Sequence, residues 1–334
     1  AGLTEGTLSH SARARLERDI SRAARSTSTT DTLERIGSAA LQASLGGWTA
    51  AMFAFIDHQI VALRVTEKSL RRFDLAARAA IGDRVGSLRR RLSTTPQVAS
   101  GLGQELAQLD HTLLEPLDLP DGPLVVIAPR ALADLPWSAL PSRIGTETVV
   151  AHSASAWARA RSRSQTEGSS IVVSGPDLDH AEQEAEAIAR LGESYIALRR
   201  EPDSLLESLE SCRVFHAVCH GSLRTDNPMF SSLRLHKGDL FAYHLQRLRE
   251  PPQVAVLSAC HLGLSTRSAG RALIGFTDAL LAAGTSTVIA STLPVPDTSI
   301  TVDLMVDLHT RMAAGERPAT ALAHAQAALP EDIR

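Results

Sequence analysis

A histidine and a cysteine each stand at the end of a short apolar run. The first run begins at Val214 and stops at the pair His220-Gly221, and the second begins at Val254 and stops at Cys260. Short runs rich in Val, Leu and Phe are typical of strands buried on both faces of a parallel sheet. A thiol attacks a carbonyl carbon once a nearby imidazole has taken its proton, so these two residue types together predict nucleophilic catalysis.

The two reactive side chains are expected to meet at one edge of the sheet. Functional groups of parallel sheets gather beyond the carboxyl ends of the strands, and neighbouring strands bring those ends together. We predict that Cys260 is the nucleophile, and that His220 acts as general base toward the thiol and then as acid toward the leaving amine. A cysteine that ends an apolar strand is ordinarily a packing residue, but a neighbouring strand that ends in His-Gly favours catalysis.

The remaining histidines and cysteines near these strands are given other roles. Cys212 and Cys219 are assigned to packing, since Cys219 points to the opposite strand face from His220. His216 lies roughly 13 Å further down the same strand, which favours a buried core histidine. His261 is an alternative base, although it follows the thiol directly in the sequence and adjacent residues seldom aim at each other.

No metal or cofactor is predicted. Structural zinc usually shows tight paired spacings such as Cys-x2-Cys. These spacings are absent from the group formed by His216, Cys219, His220, Cys260 and His261. Nucleotide-binding folds place Gly-x-Gly-x-x-Gly or Gly-x4-Gly-Lys-Ser/Thr after a strand, and neither motif occurs in this sequence. We therefore expect a catalytic site that uses protein side chains, without a metal ion or a cofactor.

Composition narrows the possible partners. The chain has 334 residues and a formal net charge of −3, so no global basic field indicates a nucleic acid. No apolar run approaches the roughly 20 residues of a membrane span. Three cysteines make no disulfide framework, which suits the reducing cytoplasm. The length allows a sizeable core and two lobes that share one sheet.

The chain divides into three parts. Residues 1–45 are predicted to be a helical extension, either the end of a helical-repeat region or a lid, with room for barely one repeat of about 34 residues. Residues 46–165 contain a hairpin around Asp57-His58-Gln59 and further strands. Residues 168–334 alternate strands with helices, which predicts a parallel sheet with helices on both faces.

Apolar runs bounded by Gly and Pro predict individual elements. They predict strands at Leu124–Ile127, Tyr195–Leu198 and Thr287–Ala290, and helices at Ala154–Arg161 and Ala269–Ala283. Asp179 stands three residues before Glu182, which predicts a capping box at the start of a helix. A long polar excursion, Ser222 to Glu250, separates the histidine strand from the cysteine strand.

Several motifs in this order resemble one family. They are His220-Gly221, Asp226-Asn227-Pro228, Leu257-Ser258-Ala259-Cys260 with Gly263, and the upstream segments Val126-Ile127-Ala128-Pro129 and Leu135-Pro136-Trp137. Together they resemble CHAT domains, caspase-like peptidases that are related to caspases and separase and usually accompany tetratricopeptide repeats. The resemblance spans residues 46–330. It departs from the pattern at His261-Leu262, where such domains more often carry an acidic and a small residue.

The resemblance implies a caspase-like α/β fold, in which a mostly parallel sheet is flanked by helices and the N-terminal half is a pseudo-caspase without the catalytic pair. It implies a cysteine endopeptidase whose oxyanion hole consists of the backbone N–H groups of Gly221 and Cys260. Asp297 is similar to the separase aspartate that receives the arginine before the scissile bond, and Asp226 is the next candidate. Alternatively, Asp297 is the N-cap of a helix that begins at Thr298.

The resemblance also implies protein partners. The substrate is expected to be a protein, and the enzyme to be latent until a regulatory partner or a helical-repeat sensor docks at the N-terminal region. The excursion and residues 261–268 border the site and are rich in polar and small residues, as gating loops are. The alternative function is a catalytically silent caspase-like scaffold that acts by association, but both catalytic residues are present.

Overall fold

The computed structural model describes most of the chain from residue 35 onward. The described residues are 35–77, 79, 81–82, 84–85, 87–88, 102–133, 135–163, 168–192, 194–199, 201–222, 224, 227–259, 269–291 and 295–330. The predicted site residues Cys260 and Asp226 lie outside them. So do His261 and most of the predicted helical extension, residues 1–34.

The N-terminal half is built on a sheet of mixed strand direction. Its strands are β1 (Thr49–Ile56), β2 (Gln59–Val65), β3 (Leu70–Ala77), β4 (Leu124–Ile127) and β5 (Thr148–Ala151). Among the described residues they follow the order β3-β2-β1-β4-β5. The pairs β1–β2 and β2–β3 are antiparallel, whereas β1–β4 and β4–β5 are parallel. The predicted hairpin is confirmed, and its turn places Asp57 at a φ of 52°, which Asp tolerates.

The C-terminal half carries a second large sheet and a small antiparallel one. The strands are β6 (Ser170–Ser174), β7 (Tyr195–Leu198), β8 (Val214–Val218), β9 (His220–Ser222), β10 (Ser232–Leu235), β11 (Gly238–Phe241), β12 (Val254–Ser258) and β13 (Thr287–Ala290). In the described part of the chain, the large sheet has the order β13-β12-β8-β6-β7 and the small one β11-β10-β9. The large sheet is parallel throughout, as predicted. The two large sheets are separate, so the expectation that two lobes share one sheet is wrong.

Helices cover both faces of the parallel sheet. The two halves together contain the helices α1 (Ser38–Ser44), α2 (Leu102–Leu113), α3 (Arg130–Ala133), α4 (Ala154–Arg161), α5 (Ala181–Ala189), α6 (Pro202–Leu209), α7 (Ala269–Ala283), α8 (Ser299–Ala313) and α9 (Pro318–Ala327). Helices α6 and α7 pack on one face of the parallel sheet, and α5, α8 and α9 pack on the other. This is the predicted α/β fold class. No helix in the described ranges is both long enough and apolar enough to cross a membrane.

Alternate residues of the central strands point to opposite faces of the parallel sheet. Phe215 and Leu257 are buried in the core that contains α6 and α7. Val214 and Val256 are buried in the core that contains α5, α8 and α9. Because both faces of these strands are covered, β8 and β12 are continuous apolar runs rather than alternating ones.

The excursion between β8 and β12 is largely folded. Strands β9, β10 and β11 form the small antiparallel sheet. The excursion also contains 3-10 turns at Pro228–Phe230 and Ala242–Arg247. Leu233, Leu240 and Leu245 are buried against α6 and α7. Residues 228–247 are therefore a folded hairpin rather than an irregular loop, because their spaced leucines bury one of its faces. That the excursion gates the site stays a prediction.

Helix α9 joins the two halves. It packs against β5 of the N-terminal half and against β13 of the C-terminal half. At its N-cap, Nη2 of Arg317 lies 2.5 Å from Oε2 of Glu147. A second contact places Nε2 of His152 at 3.3 Å from Oδ1 of Asp278. The N-terminal half thus supports the parallel sheet from the side of β13.

Candidate active site

The strands that lead to the predicted catalytic pair are neighbours in register. β8 and β12 run parallel, and Val218 stands opposite Ser258. In the sequence, His220 follows Val218 by two residues, just as Cys260 follows Ser258. Neighbouring strands lie about 4.8 Å apart. The last residues before each predicted catalytic position are therefore side by side at one edge of the sheet.

His220 opens β9 and is partly exposed. Its Nε2 lies 3.0 Å from the carbonyl oxygen of Asp177. Because a carbonyl oxygen only accepts, Nε2 carries the proton in this hydrogen bond, and Nδ1 is the basic nitrogen of the neutral ring. One ring nitrogen therefore fixes the orientation of the imidazole while the other can take up a proton, which suits a general base.

The segment that contacts His220 is the loop between β6 and α5, residues 175–180, called here the β6–α5 loop. The backbone N–H of Gly175 donates to the carbonyl oxygen of Val218 at 2.8 Å, which joins the loop to the end of β8. Asp177 has a φ of 62°, in the left-handed region that Asp visits more readily than most residues. Oδ2 of Asp177 lies 3.1 Å from Nη1 of Arg234 on β10.

Asp297 holds the other end of the β6–α5 loop. Its Oδ2 accepts the backbone N–H of Asp179 at 2.6 Å, and its Oδ1 accepts that of His180 at 3.1 Å. Nδ1 of His180 lies 3.2 Å from the same Oδ1. Backbone N–H groups at the start of a helix favour a carboxylate at this place. Asp297 therefore lies at the same edge of the sheet as His220, and one loop contacts both.

Both capping predictions for this region are wrong. Helix α8 has Thr298 as its N-cap, so Asp297 does not cap the helix that follows it. Helix α5 has His180 as its N-cap, without a side-chain cap hydrogen bond, so the capping box of Asp179 and Glu182 does not form. The carboxylate at the start of α5 comes instead from Asp297, 118 residues along the chain from Asp179.

Cys212 and Cys219 are packing residues, as predicted. Both are buried in the core between the parallel sheet and helices α6 and α7. Burial raises the pKa of the Cys212 thiol to about 12, because a thiolate would lose its hydration there. Cys212 is therefore protonated at neutral pH and is a poor nucleophile.

His216 is a buried core histidine, as predicted, and it belongs to a polar array. Its Nε2 lies 2.9 Å from Oε1 of Glu184 on α5, and its Nδ1 lies 2.9 Å from Nε2 of His309 on α8. All three residues are buried. Burial, followed by the charges of His216 and Arg213, lowers the pKa of His309 well below its usual value. The array fastens α5 and α8 to the central strand.

The partners of His216 were not predicted from the sequence, although a signal for them exists in it. Glu184 lies on α5 between the buried residues Ala181 and Ile188. His309 follows the buried Leu308 on α8. A titratable residue on the apolar face of a helix indicates a buried partner, because an unpaired buried charge is costly. The sequence does not show which strand residue that partner is.

The structure locates three of the five predicted site residues. His220 and Gly221 lie in β9. Asp297 precedes α8, and its carboxylate contacts the β6–α5 loop at Asp179, close to the start of α5. The positions of Cys260 and Asp226 are outside the described residues. Within the described ranges, no group of three or more His, Cys, Asp or Glu residues has a geometry that could hold a metal ion.

Sequence comparison identifies one family. The family profile of the CHAT domain matches residues 103–334, which is more than half of the chain. No curated protein sequence matches the chain.

Structure comparison identifies a similar fold in two crystal structures of the Saccharomyces cerevisiae separase–securin complex. One matched chain has a TM-score of 0.61 at 10% identity, and the other has a TM-score of 0.53 at 9% identity. Each match covers 96% of this chain and 33% of the other. This chain therefore spans a third of the length of the chains it matches, and at this identity the likeness is one of fold.

Proposed function

This chain belongs to the CHAT domain family, and we propose from this that it is a cysteine endopeptidase that cleaves a protein substrate. Cys260 is the nucleophile and His220 is the general base. The main support is the parallel register of β8 and β12, in which Val218 stands opposite Ser258. Alternation along the strands predicts that His220 and Cys260, each two residues further on, project toward the same side.

The proposed reaction proceeds through a thioester. Nδ1 of His220 takes the thiol proton, since Nε2 donates to the carbonyl oxygen of Asp177. The Cys260 thiolate attacks the scissile carbonyl carbon, and the backbone N–H groups of Gly221 and Cys260 stabilise the oxyanion. The imidazolium then protonates the leaving amine. A water molecule, deprotonated by His220, hydrolyses the thioester and releases the thiol.

Labelling with an electrophilic peptide tests this function. The reagent is expected to modify Cys260, as read by peptide mass spectrometry, and to leave the buried Cys212 and Cys219 unmodified. His220→Ala should suppress the labelling, because the Cys260 thiol of this variant has lost the base that deprotonates it. Incubation with a randomised peptide library then identifies the cleavage sites. A protein that neither reacts at Cys260 nor cleaves any peptide, even with its activating partner bound, would instead be the catalytically silent scaffold.

Two glycines near the site are expected to respond differently to an added methyl group. At Gly175, a Cβ would lie 2.5 Å from Cβ of Cys219 and closer still to the carbonyl oxygen of Arg234. At Gly221, no atom of the described residues lies within 4 Å of an added Cβ. Gly175→Ala should therefore lower the free energy of unfolding by about 1–3 kcal/mol. Gly221→Ala should unfold like the wild type but lose kcat/KM, because the methyl group enters the space proposed for the scissile carbonyl.

Urea denaturation and peptide kinetics on the two glycine variants separate these effects. Each variant is the control for the other, since both add one methyl group at the same edge of the sheet. A Gly221→Ala variant with wild-type kcat/KM would show that the scissile bond does not lie against Gly221.

Asp297 is the proposed recognition site for a basic residue before the scissile bond. Its side chain is 23% exposed, and among the described residues Oδ2 accepts a hydrogen bond from Asp179. A carboxylate oxygen has two lone pairs, so Oδ2 can also accept from a guanidinium. Because carboxylates pair bidentately with guanidinium groups, such a site would prefer Arg to Lys, and both to neutral residues. Asp226 is the other candidate.

Asp297→Asn is expected to remove the preference for arginine. The amide loses the negative charge and keeps one oxygen for the backbone of the β6–α5 loop, but its NH2 group faces the second backbone N–H that Asp297 accepts. The loss of one charged hydrogen bond should lower kcat/KM on an Arg peptide by about 10- to 100-fold, with much less change on the matched Leu peptide. Asp226→Asn is the comparison variant. Equal losses on both peptides would show that Asp297 only anchors the loop.

Regulation by a partner is part of the proposal. The activator is a regulatory protein or a helical-repeat sensor that docks at the N-terminal region, and the N-terminal half serves as a pseudo-caspase support. Contacts of α9 with β5 and β13 favour this, because they link the N-terminal half to the edge of the catalytic sheet. A reducing compartment such as the cytoplasm would keep the Cys260 thiol available.

A further inference from the structure

We propose that Arg234 is a positioning residue for His220 and acts through Asp177. The inference rests on the proposed function, in which His220 is the base. Arg234 stands directly opposite His220 in the β9–β10 pair. Its guanidinium Nη1 lies 3.1 Å from Oδ2 of Asp177, and the carbonyl oxygen of Asp177 binds Nε2 of His220. Arg234 is thus connected to the histidine both through the strand pairing and through the β6–α5 loop.

Arg234 contacts the β6–α5 loop at two points. The first is the ion pair with Asp177. The second is the backbone carbonyl oxygen of Arg234, which lies so close to Gly175 that a Cβ on that glycine would collide with it. The backbone of β10 therefore packs on the start of the loop, while the guanidinium reaches the residue two positions further on. The carboxylate of Asp297 binds the loop beyond that point, at Asp179. Arg234 and Asp297 together hold the short segment whose carbonyl accepts from His220.

The orientation of the Asp177 carbonyl depends on an uncommon backbone conformation. The φ of 62° at Asp177 is one that residues with a Cβ adopt only when their surroundings favour it. Without the ion pair to Arg234, the peptide unit after Asp177 has fewer contacts that keep its carbonyl directed at Nε2. The neutral ring of His220 would then place its proton on Nδ1 more often, and in that state Nδ1 cannot take the thiol proton.

The size of the effect follows from the exposure of the pair. The side chain of Arg234 is 57% exposed and that of Asp177 is 65% exposed, and exposed ion pairs are weak. We therefore expect Arg234→Ala to lower kcat by about two- to five-fold. KM should stay the same, because Arg234 acts on the histidine rather than on the substrate.

The test combines kinetics with NMR of the His220 ring in the full chain. Ring ¹⁵N shifts, assigned with His220→Gln, report the fraction of His220 that carries its proton on Nε2. Arg234→Ala should lower both this fraction and kcat. Arg234→Lys, which keeps the charge, should restore part of each. Asp177→Asn tolerates the left-handed backbone but lacks the charge, so it should reproduce the effect of Arg234→Ala, and the double variant should be no worse than either single one.

Arg247→Ala is the matched control. Nη1 of Arg247 lies 2.8 Å from Oδ1 of Asp203, in a pair whose side chains are 63% and 80% exposed, and neither residue belongs to the β6–α5 loop. This variant should leave kcat and the ring shifts unchanged. The proposal is overturned if Arg234→Ala keeps the wild-type ring shifts, or if it raises KM while kcat stays constant. A wild-type protein that neither labels nor cleaves even with its activating partner bound, but whose ring shifts respond to Arg234→Ala, would refute the proposed peptidase and support the positioning role.

Discussion

Cys260→Ala and His220→Ala should each lower kcat/KM for peptide hydrolysis by about four orders of magnitude or more, with the fold intact. Removal of one member of a nucleophile–base pair costs about as much as removal of both, because the two act as a unit. His220 lies outside the buried cores and is partly exposed, so its truncation should cost little stability. Kinetics on the best library peptide, with circular dichroism as the check on folding, measure both quantities.

The other two cysteines provide the controls for this result. Cys212→Ala and Cys219→Ser should retain most of the activity, since both thiols are buried in the core behind the sheet. Cleavage by Cys260→Ala at the wild-type rate would eliminate Cys260 as the nucleophile. If Cys260→Ala is inactive but His220→Ala is not, His261 becomes the base, which is the alternative that the sequence allows.

His216→Ala should lower the free energy of unfolding by about 3–5 kcal/mol, since it leaves the buried carboxylate of Glu184 without its partner. The side chains of His216 and Glu184 are 0% and 3% exposed, so water cannot replace the lost interaction. Urea denaturation measures the loss. At a temperature where the variant is folded, its kcat should be close to that of the wild type, because His216 is not part of the proposed catalytic pair.

His111→Ala is the matched control for the buried histidine. His111 also pairs with a glutamate, Glu115, but these side chains are 76% and 68% exposed. Exposed pairs contribute little, so this variant should unfold almost like the wild type. Similar losses in the two variants would show that the buried array does not hold α5 and α8 to the sheet.

The same array makes the stability depend on pH. Burial lowers the pKa of His309 well below the usual value, so His309 is neutral in the folded protein and takes up a proton on unfolding. Stability should therefore fall once the pH drops below about 6.5, the ordinary pKa of histidine, by up to about 1.4 kcal/mol per pH unit. His309→Gln cannot take up that proton, so its unfolding free energy should decline less steeply over this range.

The first and last residues of five elements were predicted correctly from the sequence, because residues that interrupt a helix or a strand flank these elements. Strand β4 and helix α4 have the predicted bounds, as do β7, α7 and β13. Helix α7, for example, stops before Gly284, whose φ of 119° is readily adopted by glycine alone. Local chemistry suffices in such cases, because an apolar run and a residue that interrupts it are both visible in the sequence.

Contacts between distant segments were not predictable in this way. The carbonyl of Asp177 carries no side-chain signal, so its hydrogen bond to His220 is invisible in the sequence. The sequence left Asp297 as either a carboxylate that receives a basic residue or the N-cap of the helix that follows it, and neither prediction includes its hydrogen bonds to the start of α5. Capping rules consider residues near a helix end along the chain, whereas a sheet brings together loops that are far apart in sequence.

The common register of β8 and β12 restricts the changes in length that either strand can accept. A single inserted or deleted residue in either strand would turn every later side chain of that strand to the opposite face of the sheet. In β8, such a change would exchange the directions of Cys219 and His220. The turn between β10 and β11 lies at the tip of an antiparallel hairpin and carries no such restriction. We therefore expect this chain to tolerate a one-residue insertion at that turn better than one in β8 or β12.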